Sequence, residues 1–407
     1  MNHALHTAKT SLETLARELC SDGRGKVLLA VSAGWALSMG VRFVYPALVP
    51  FFRTEFEIGL STIGLLLTLL WAAYALGHVP GGILGDRFGE GNILVISTVA
   101  STAAILVVAT ALDVWMFFAG TVAFGLTTAL YGPTRFTILT DMYAERAGSA
   151  IGLTMAAGNI GNTVFPAMAA FVATYLTWRL GFGAFLPLFV AVVLALWLFV
   201  PGRTSGSTSV VDEFSVDTVK RILVGVTAGS IPIFVLIQVT ISFVIQGFAS
   251  FYPTYLVAVK GLSPGVAASV FGLFFAVGAI IQPISGGVMD RLGARKTLIL
   301  FLSSCVLALW LLPFIDGIAP LVVITVLFSA WNGCVVITQT YIADALPSDM
   351  QGTGFGSLKA GWMLIGATSP LLVGVLAEFG YFDEGFLLLA VVGTVGVGVL
   401  LVSLLRR

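Results

Sequence analysis

Three basic residues stand where the chain is otherwise apolar: Arg42, Arg135 and Lys359. Each falls within an apolar run of about 20 residues, long enough to cross a bilayer as a helix. A central Arg or Lys in such a run costs about 2.5–3.5 kcal/mol on insertion scales, so the three together cost roughly 8–10 kcal/mol. None of the 20 acidic residues needs to lie at the same depth. Asp141 is about a turn and a half beyond Arg135 and reaches it only by bending inward. Unpaired cations in a cavity suit an anionic ligand. The guanidinium fork matches carboxylate or phosphate oxygens, and Lys adds a point charge. We therefore expect Arg42 and Lys359 to bind a small anion, with Arg135 helping. Each has an alternative use. Arg42 precedes Pro46 by four residues and Pro50 by eight, so it is placed to satisfy carbonyls that those prolines free. Arg135 follows Gly132-Pro133 and suits a structural role. Lys359 is placed to snorkel to the nearer surface.

Neutral polar residues line up on the same helices. Gln238, Ser242, Gln246 and Ser250 recur every four residues, one drifting helical face. Asn332 and Gln339 are two turns apart, and Thr128, Tyr131 and Arg135 align. Gln246, Gln238, Tyr131 and Gln339 join the candidate binding set, with ordinary interhelical hydrogen bonding as the alternative. Asn159 and Asn162 sit beside Gly158 and Gly161, a spacing suited to close helix packing. His78, just before Pro80, is read as structural. No clustered His, Asp and Glu set and no nucleophile–base pair occurs in the spans. We expect no enzyme, no metal and no cofactor.

These residues need a membrane scaffold. Hydrophobic residues make up 58% of the 407 and charged residues 10%, against about 25% charge in a soluble domain. Net charge is zero, which leaves no electrostatic case for nucleic acid. Cys20, Cys305 and Cys334 are too scattered for a disulfide framework. Hydropathy places twelve spans near 26–50, 60–82, 92–112, 115–140, 148–174, 180–200, 222–256, 262–286, 296–314, 318–343, 352–377 and 386–405. The expected division is a cytoplasmic segment 1–25, a first six-helix half 26–200, a Gly/Ser/Thr-rich linker 201–221 and a second half 222–407. Leu12, Leu15 and Leu19 share one face, so the first segment is read as surface-lying or as a frayed tail. With the N-terminus inside, fourteen basic residues fall in cytoplasmic segments and three, Arg53, Arg179 and Lys260, outside. That bias predicts both termini in the cytoplasm of a plasma-membrane protein.

The halves repeat each other. Gly82-Ile83-Leu84-Gly85-Asp86-Arg87-Phe88-Gly89 and Gly286-Gly287-Val288-Met289-Asp290-Arg291-Leu292-Gly293 both fit G-x-x-x-D-R-x-G, 204 positions apart. Gly148 and Pro166 are 18 apart, as are Gly352 and Pro370. Asp141 and Asp344 close the fourth and tenth spans. Gln246 is the repeat counterpart of Arg42, at the same offset of 204. A charged hairpin repeated at the half-length implies a duplicated membrane domain.

The hairpin resembles the loop motif between the second and third spans of the major facilitator superfamily of secondary transporters. The resemblance covers nearly the whole chain, including Trp178-Arg179 opening the sixth span. It implies an all-α polytopic membrane protein with twelve helices, in which two pseudo-symmetric six-helix bundles rock about a central cavity. Spans one, four, seven and ten would line it. It also implies a gate: Gly82, Asp86, Arg87 and Gly89 in one copy, Gly286, Asp290, Arg291 and Gly293 in the other, with Asp141 and Arg146 nearby. Gly89 and Gly293 can take positive φ. Asp86 would cap span eleven and Asp290 span five in the outward-open state. The copies depart from the family where an Arg is usual: Glu90 and Ala294 stand there. Arg295 and Lys296 keep the second copy basic, whereas the first rests on Arg87 alone.

Family members that carry organic or phosphorylated anions often have basic side chains in cavity helices. The resemblance thus implies a secondary transporter of a small organic anion by alternating access, with the bilayer and the solute as partners and one chain sufficient as a monomer. The alternative is a proton-coupled exporter of drugs or other amphipathic compounds, a group that also carries an Arg in span four. Such exporters typically show G-x-x-x-G-P-x-x-G-G in span five, which Gly158-Asn159-Ile160-Gly161-Asn162-Thr163-Val164-Phe165-Pro166 does not match.

Overall fold

The computed structural model describes residue 19 and residues 23–204, 231–346 and 353–405. The first segment apart from Leu19 and residues 23–25, most of the expected linker, residues 222–230, Gly352, Arg406 and Arg407 lie outside the described residues. Among the described residues twelve helical spans are seen: α1 (Arg24–Phe56), α2 (Leu60–Phe88), α3 (Glu90–Ala109), α4 (Val114–Met142), α5 (Ala147–Tyr175), α6 (Trp178–Phe199), α7 (Ile231–Ala258), α8 (Pro264–Leu292), α9 (Ala294–Phe314), α10 (Ile318–Ala345), α11 (Gly354–Glu378) and α12 (Phe382–Leu405). Eleven are long and apolar enough to cross a membrane. The other, α5, spans 29 residues but is diluted by Gly, Asn, Ser and Thr. The chain is a multi-pass membrane protein.

Several helices outrun the expected spans. α1 continues past Pro46 and Pro50 to Phe56, and α2 and α8 continue to Phe88 and Leu292. Hydropathy marks only the lipid-facing length, whereas a helix continues until its backbone is stopped. Here Gly89 (φ 94°) and Gly293 (φ 80°) do the stopping. Breaks within spans have local causes. α4 is interrupted at Leu130, between Ala129 and Tyr131; Pro133 has no N–H for the Ala129 carbonyl and constrains the residues before it. α11 is interrupted between Gly366 and Ser369, just ahead of Pro370.

Within the first half α1 packs on α5 and α2 on α4; within the second α7 packs on α11 and α9 on α12. The α1–α5 approach is close because Gly161 lies against the Ala36 backbone and Gly158 against the Trp35 indole, as the glycine spacing predicts. Between the halves α2 runs along α11 and α5 along α8. These two seams are related by the repeat.

The α2–α11 seam is tight at the end remote from the hairpins. A Cβ on Gly64 would stand 2.6 Å from the Pro370 carbonyl oxygen, and Gly374 lies against the Leu60 carbonyl. The Leu371 N–H donates to Thr68 Oγ1 at 3.1 Å. Glu378 Oε2 accepts from the Ser61 N–H at 2.7 Å and from Ser61 Oγ at 2.6 Å. That carboxylate satisfies free donors in the first turn of α2. At the hairpin end, by contrast, Gly82, Gly286, Gly148 and Gly356 face open space. Mid-depth, Asn159 Nδ2 donates to Gln282 Oε1 at 3.3 Å across the α5–α8 seam. Among the described residues no hydrogen bond joins the halves nearer the hairpins than this. Among the described residues, the halves meet at one end and stand apart at the hairpin end.

Loss of the Glu378 cap should loosen the shut end. Glu378→Gln combined with Ser61→Ala is expected to raise the labelling rate of a single cysteine at position 60 by a water-soluble maleimide about fivefold, the equivalent of one helix cap. An unchanged rate would mean that the glycine seam holds without the cap.

Candidate functional site

Arg42 and Arg135 are each 1% exposed. Arg42 sits on α1, whose residues are buried nearly all round between Val27 and Val49. Its guanidinium carbon lies 3.5 Å from the centre of the Tyr74 ring on α2, with Trp71 at 5.7 Å. Nε donates to the Ser38 carbonyl at 2.9 Å and Nη2 to Met39 Sδ at 2.7 Å. Nη1 is buried without a partner. The side chain therefore turns back one turn along its own helix. The carbonyls near Pro46 and Pro50, its alternative partners by sequence, are not the ones it meets.

Arg135 on α4 is arranged in the same way. Its guanidinium carbon lies 3.5 Å from the centre of the Trp35 ring on α1, and Nη2 faces Met155 Sδ on α5 at 3.7 Å. Nε and Nη1 are buried without partners. Asp141 does not bend toward it: that carboxylate is exposed and accepts from Thr204 Oγ1 at 3.0 Å. Lys359 comes from α11 in the other half. It is half-buried, and among the described residues it makes no hydrogen bond or ion pair. It lies near enough to Arg42, Arg135 and Tyr74 to interact with all three electrostatically. The three cations picked from the sequence thus converge on one place. Among the described residues no carboxylate pairs with any of them. The Arg179–Glu55 and Lys260–Asp316 ion pairs lie at the shut end. A cavity of about 680 Å³ at that end, bordered by Arg53, Glu57, Thr254 and Glu378, holds none of the three.

The neutral candidates divide. Tyr131 donates its hydroxyl to the Val31 carbonyl at 2.9 Å and stacks on Trp35 with ring centres 6.4 Å apart. It supports Trp35 and has no free proton to offer a ligand. Gln238 Oε1 accepts from Thr338 Oγ1 at 2.6 Å, which ties α7 to α10. Gln246 Nε2 donates to the Met363 carbonyl at 3.3 Å, but its Oε1 is buried without a partner. Gln339 is half-buried and makes no hydrogen bond among the described residues. His78 Nδ1 lies 2.8 Å from the Tyr74 carbonyl, with its ring edge-on to Tyr74 at 4.5 Å.

At the hairpins the first copy does not rest on Arg87 alone. Arg203, just past α6, donates to the carbonyls of Asp86 and Arg87 at 3.2 and 2.8 Å. Glu90 is 1% exposed and accepts from the Thr204 N–H at 3.2 Å. The N–H groups of Gly91 and Asn92 reach the Gly202 carbonyl at 3.1 and 3.2 Å. The acidic residue in the usual Arg position thus fastens a segment that returns the missing basic group. In the second copy Arg295 Nη1 donates to the Ser403 carbonyl on α12 at 2.9 Å. Arg87, Asp290, Arg291 and Lys296 are exposed, and Asp86 is half-buried. Arg146 lies where α5 begins, its N–H on the Tyr143 carbonyl at 2.7 Å.

Sequence reasoning missed Trp35, Tyr74, Met39, Met155 and Arg203. A faint signal existed for one: Trp35 is two turns before Arg42, on the same face of α1. Nothing in the sequence pairs Tyr74 with Arg42.

Residues 30–356 match the Major Facilitator Superfamily profile. The chain is 26% identical over 361 residues to the cis,cis-muconate transport protein of Acinetobacter baylyi, covering 83% of this chain and 84% of that one. It is 24% identical over 292 residues to the class E tetracycline resistance protein of Escherichia coli, covering 67% and 68%. Among solved structures, a bacterial homolog of the human lysosomal transporter Spinster, inward-facing and unoccupied, superposes with a TM-score of 0.77 at 17% identity, covering 93% of this chain and 96% of that one.

An unpaired cation at depth burdens the fold. Lys359→Met is expected to raise the thermal midpoint of the detergent-solubilised protein, by the equivalent of about 1 kcal/mol or more. A lowered midpoint would show that Lys359 has a stabilising partner.

Proposed function

The chain belongs to the Major Facilitator Superfamily and is a membrane transporter of a small molecule; we propose that its substrate is a small organic anion, a carboxylate or phosphorylated compound. The observation that carries this reading is the convergence of Arg42, Arg135 and Lys359 with no carboxylate among the described residues to pair them. Buried N–H donors at Arg42 Nη1, Arg135 Nε and Arg135 Nη1 lack acceptors. An oxyanion would satisfy them and offset the charge in one event. The first relative named above is a muconate transport protein, and muconate is a dicarboxylate.

In this reading the anion enters from the open hairpin end and meets cations of both halves. Halves 26–200 and 222–407, joined by the linker 201–221, then close over it. Asp86 and Asp290 cap α11 and α5 when the hairpin end is shut. Closing the empty site would bring three cations together away from water. That penalty favours exchange, or symport in which the anion itself carries the proton. The bias of basic residues toward one side of the spans supports both termini in the cytoplasm of a plasma-membrane protein. Both walls of the site come from one chain, so a monomer suffices.

The second reading, export of amphipathic compounds, is favoured by the tetracycline resistance relative and by the aromatic rings beside the arginines. The sign of the preferred solute separates the two. Proteoliposomes are offered labelled carboxylates, sugar phosphates and lipophilic cations. We expect uptake of an anion, and at least a tenfold loss of kcat/KM in Arg42→Gln, on the order of one charge-assisted hydrogen-bond pair. Preferential transport of the cations, indifferent to Arg42→Gln, overturns the anion reading.

A further inference from the structure

We propose that Tyr74 and Trp35 are positioning residues that stand in for counter-ions, holding the guanidinium groups of Arg42 and Arg135 flat and leaving their donors open for the substrate. The inference rests on the anion reading above and adds how that site is kept ready.

The two arginines share one arrangement. Each guanidinium carbon is 3.5 Å from the centre of a ring on a neighbouring helix: Arg42 over Tyr74, Arg135 over Trp35. Both rings are buried. A ring face carries the negative part of the aromatic quadrupole and attracts a cation within about 6 Å. A carboxylate partner would attract more strongly, but it would occupy the N–H fork. A ring face carries no lone pair for an N–H and so need not fill the fork. The N–H donors that find partners mostly find weak ones. Met39 Sδ and Met155 Sδ each take one, and thioether sulfur is a poor acceptor. What remains unpaired is Nη1 on Arg42 and both Nε and Nη1 on Arg135, all of them buried.

The rings are fixed from behind. Trp35 is stacked by Tyr131, whose hydroxyl is tied to the Val31 carbonyl. Gly158 admits the indole edge, since a Cβ there would stand 2.5 Å from Trp35 Nε1. Tyr74 is flanked edge-on by His78 at 4.5 Å and by Trp71 at 6.2 Å. The equivalent positions of the second half do not repeat it. Positions 204 beyond Trp35 and Tyr74 are Val239 and Gly278, and those beyond the arginines are Gln246 and Gln339. At these positions, rings occur only where there are arginines to hold.

The test is uptake kinetics in proteoliposomes, using the labelled carboxylate or phosphate that the unsubstituted chain takes up fastest. Tyr74→Phe keeps the ring and should leave KM within about twofold. Tyr74→Leu and Trp35→Leu should raise KM about tenfold with maximal rate changed less than about twofold, the effect of losing one desolvated cation–π contact. A near-isosteric series guards against misfolding: fluorinated tryptophans with one to four fluorines at position 35 drain the ring face stepwise, and KM should climb in step. A flat fluorine series, or Leu variants that fold and keep KM, overturns the positioning role while an Arg42→Gln loss leaves the anion reading standing. If no anion is transported, both fall together.

Discussion

A guanidinium buried without a carboxylate is the condition that the rest of the site accommodates. In a low-dielectric interior a lone cation costs several kcal/mol unless its surroundings supply compensating charge. Here the compensation is spread thin: two rings and a thioether for each arginine, with a single backbone carbonyl added for Arg42. None of these carries a full negative charge. In the anion reading this arrangement leaves donors unsatisfied that an oxyanion would fill. A carboxylate in the same place would make a better resting structure and a poorer binding site.

The repeat is kept in the backbone and abandoned in the side chains. Hairpin glycines, the α2–α11 and α5–α8 seams and the twelve-helix order obey it. The chemistry does not. Arg42 corresponds to Gln246, Arg135 to Gln339 and Met155 to Lys359, each 204 positions on. Two arginines and their rings therefore belong to one half, and the lysine alone belongs to the other. Duplication fixes where helices stop and touch, because glycine geometry and apolar length are backbone properties. Cavity side chains bear no packing duty that would keep them alike.

That division explains what is legible in the chain alone. Span count, hairpins and the three cations can be read, because apolar length and the cost of burying charge are local facts. Helix ends read short of Phe56, Phe88 and Leu292, since hydropathy does not report a helix that leaves the lipid. The partners of the cations are not readable. Tyr74 meets Arg42 only because α2 turns that face to α1, and Arg203 meets the hairpin from 117 residues away. Gln238 reads as a cavity amide or an interhelical bond, and it is bonded to Thr338. Spacing along one helix identifies a shared face, but the neighbour that the face meets is a tertiary fact.

The location of the holders has a consequence for alternating access. Trp35 and Met39 are on α1, Tyr74 is on α2 and Met155 is on α5, all in the half that carries both arginines. When the halves move against each other, this cradle travels as one piece. A ligand shifts a conformational equilibrium only through contacts that differ between states. An anion held by Arg42 and Arg135 alone would bind every state equally and drive nothing. In the anion reading Lys359 is the charged group that comes from the other half, so its distance from those arginines changes as the halves move. On that reading the arginines therefore hold the solute and the lysine couples it to closure. The shut end is suited to such a switch. Gly64 and Gly374 seal it by backbone approach at contact distance, and close packing of that kind is lost abruptly once the helices part.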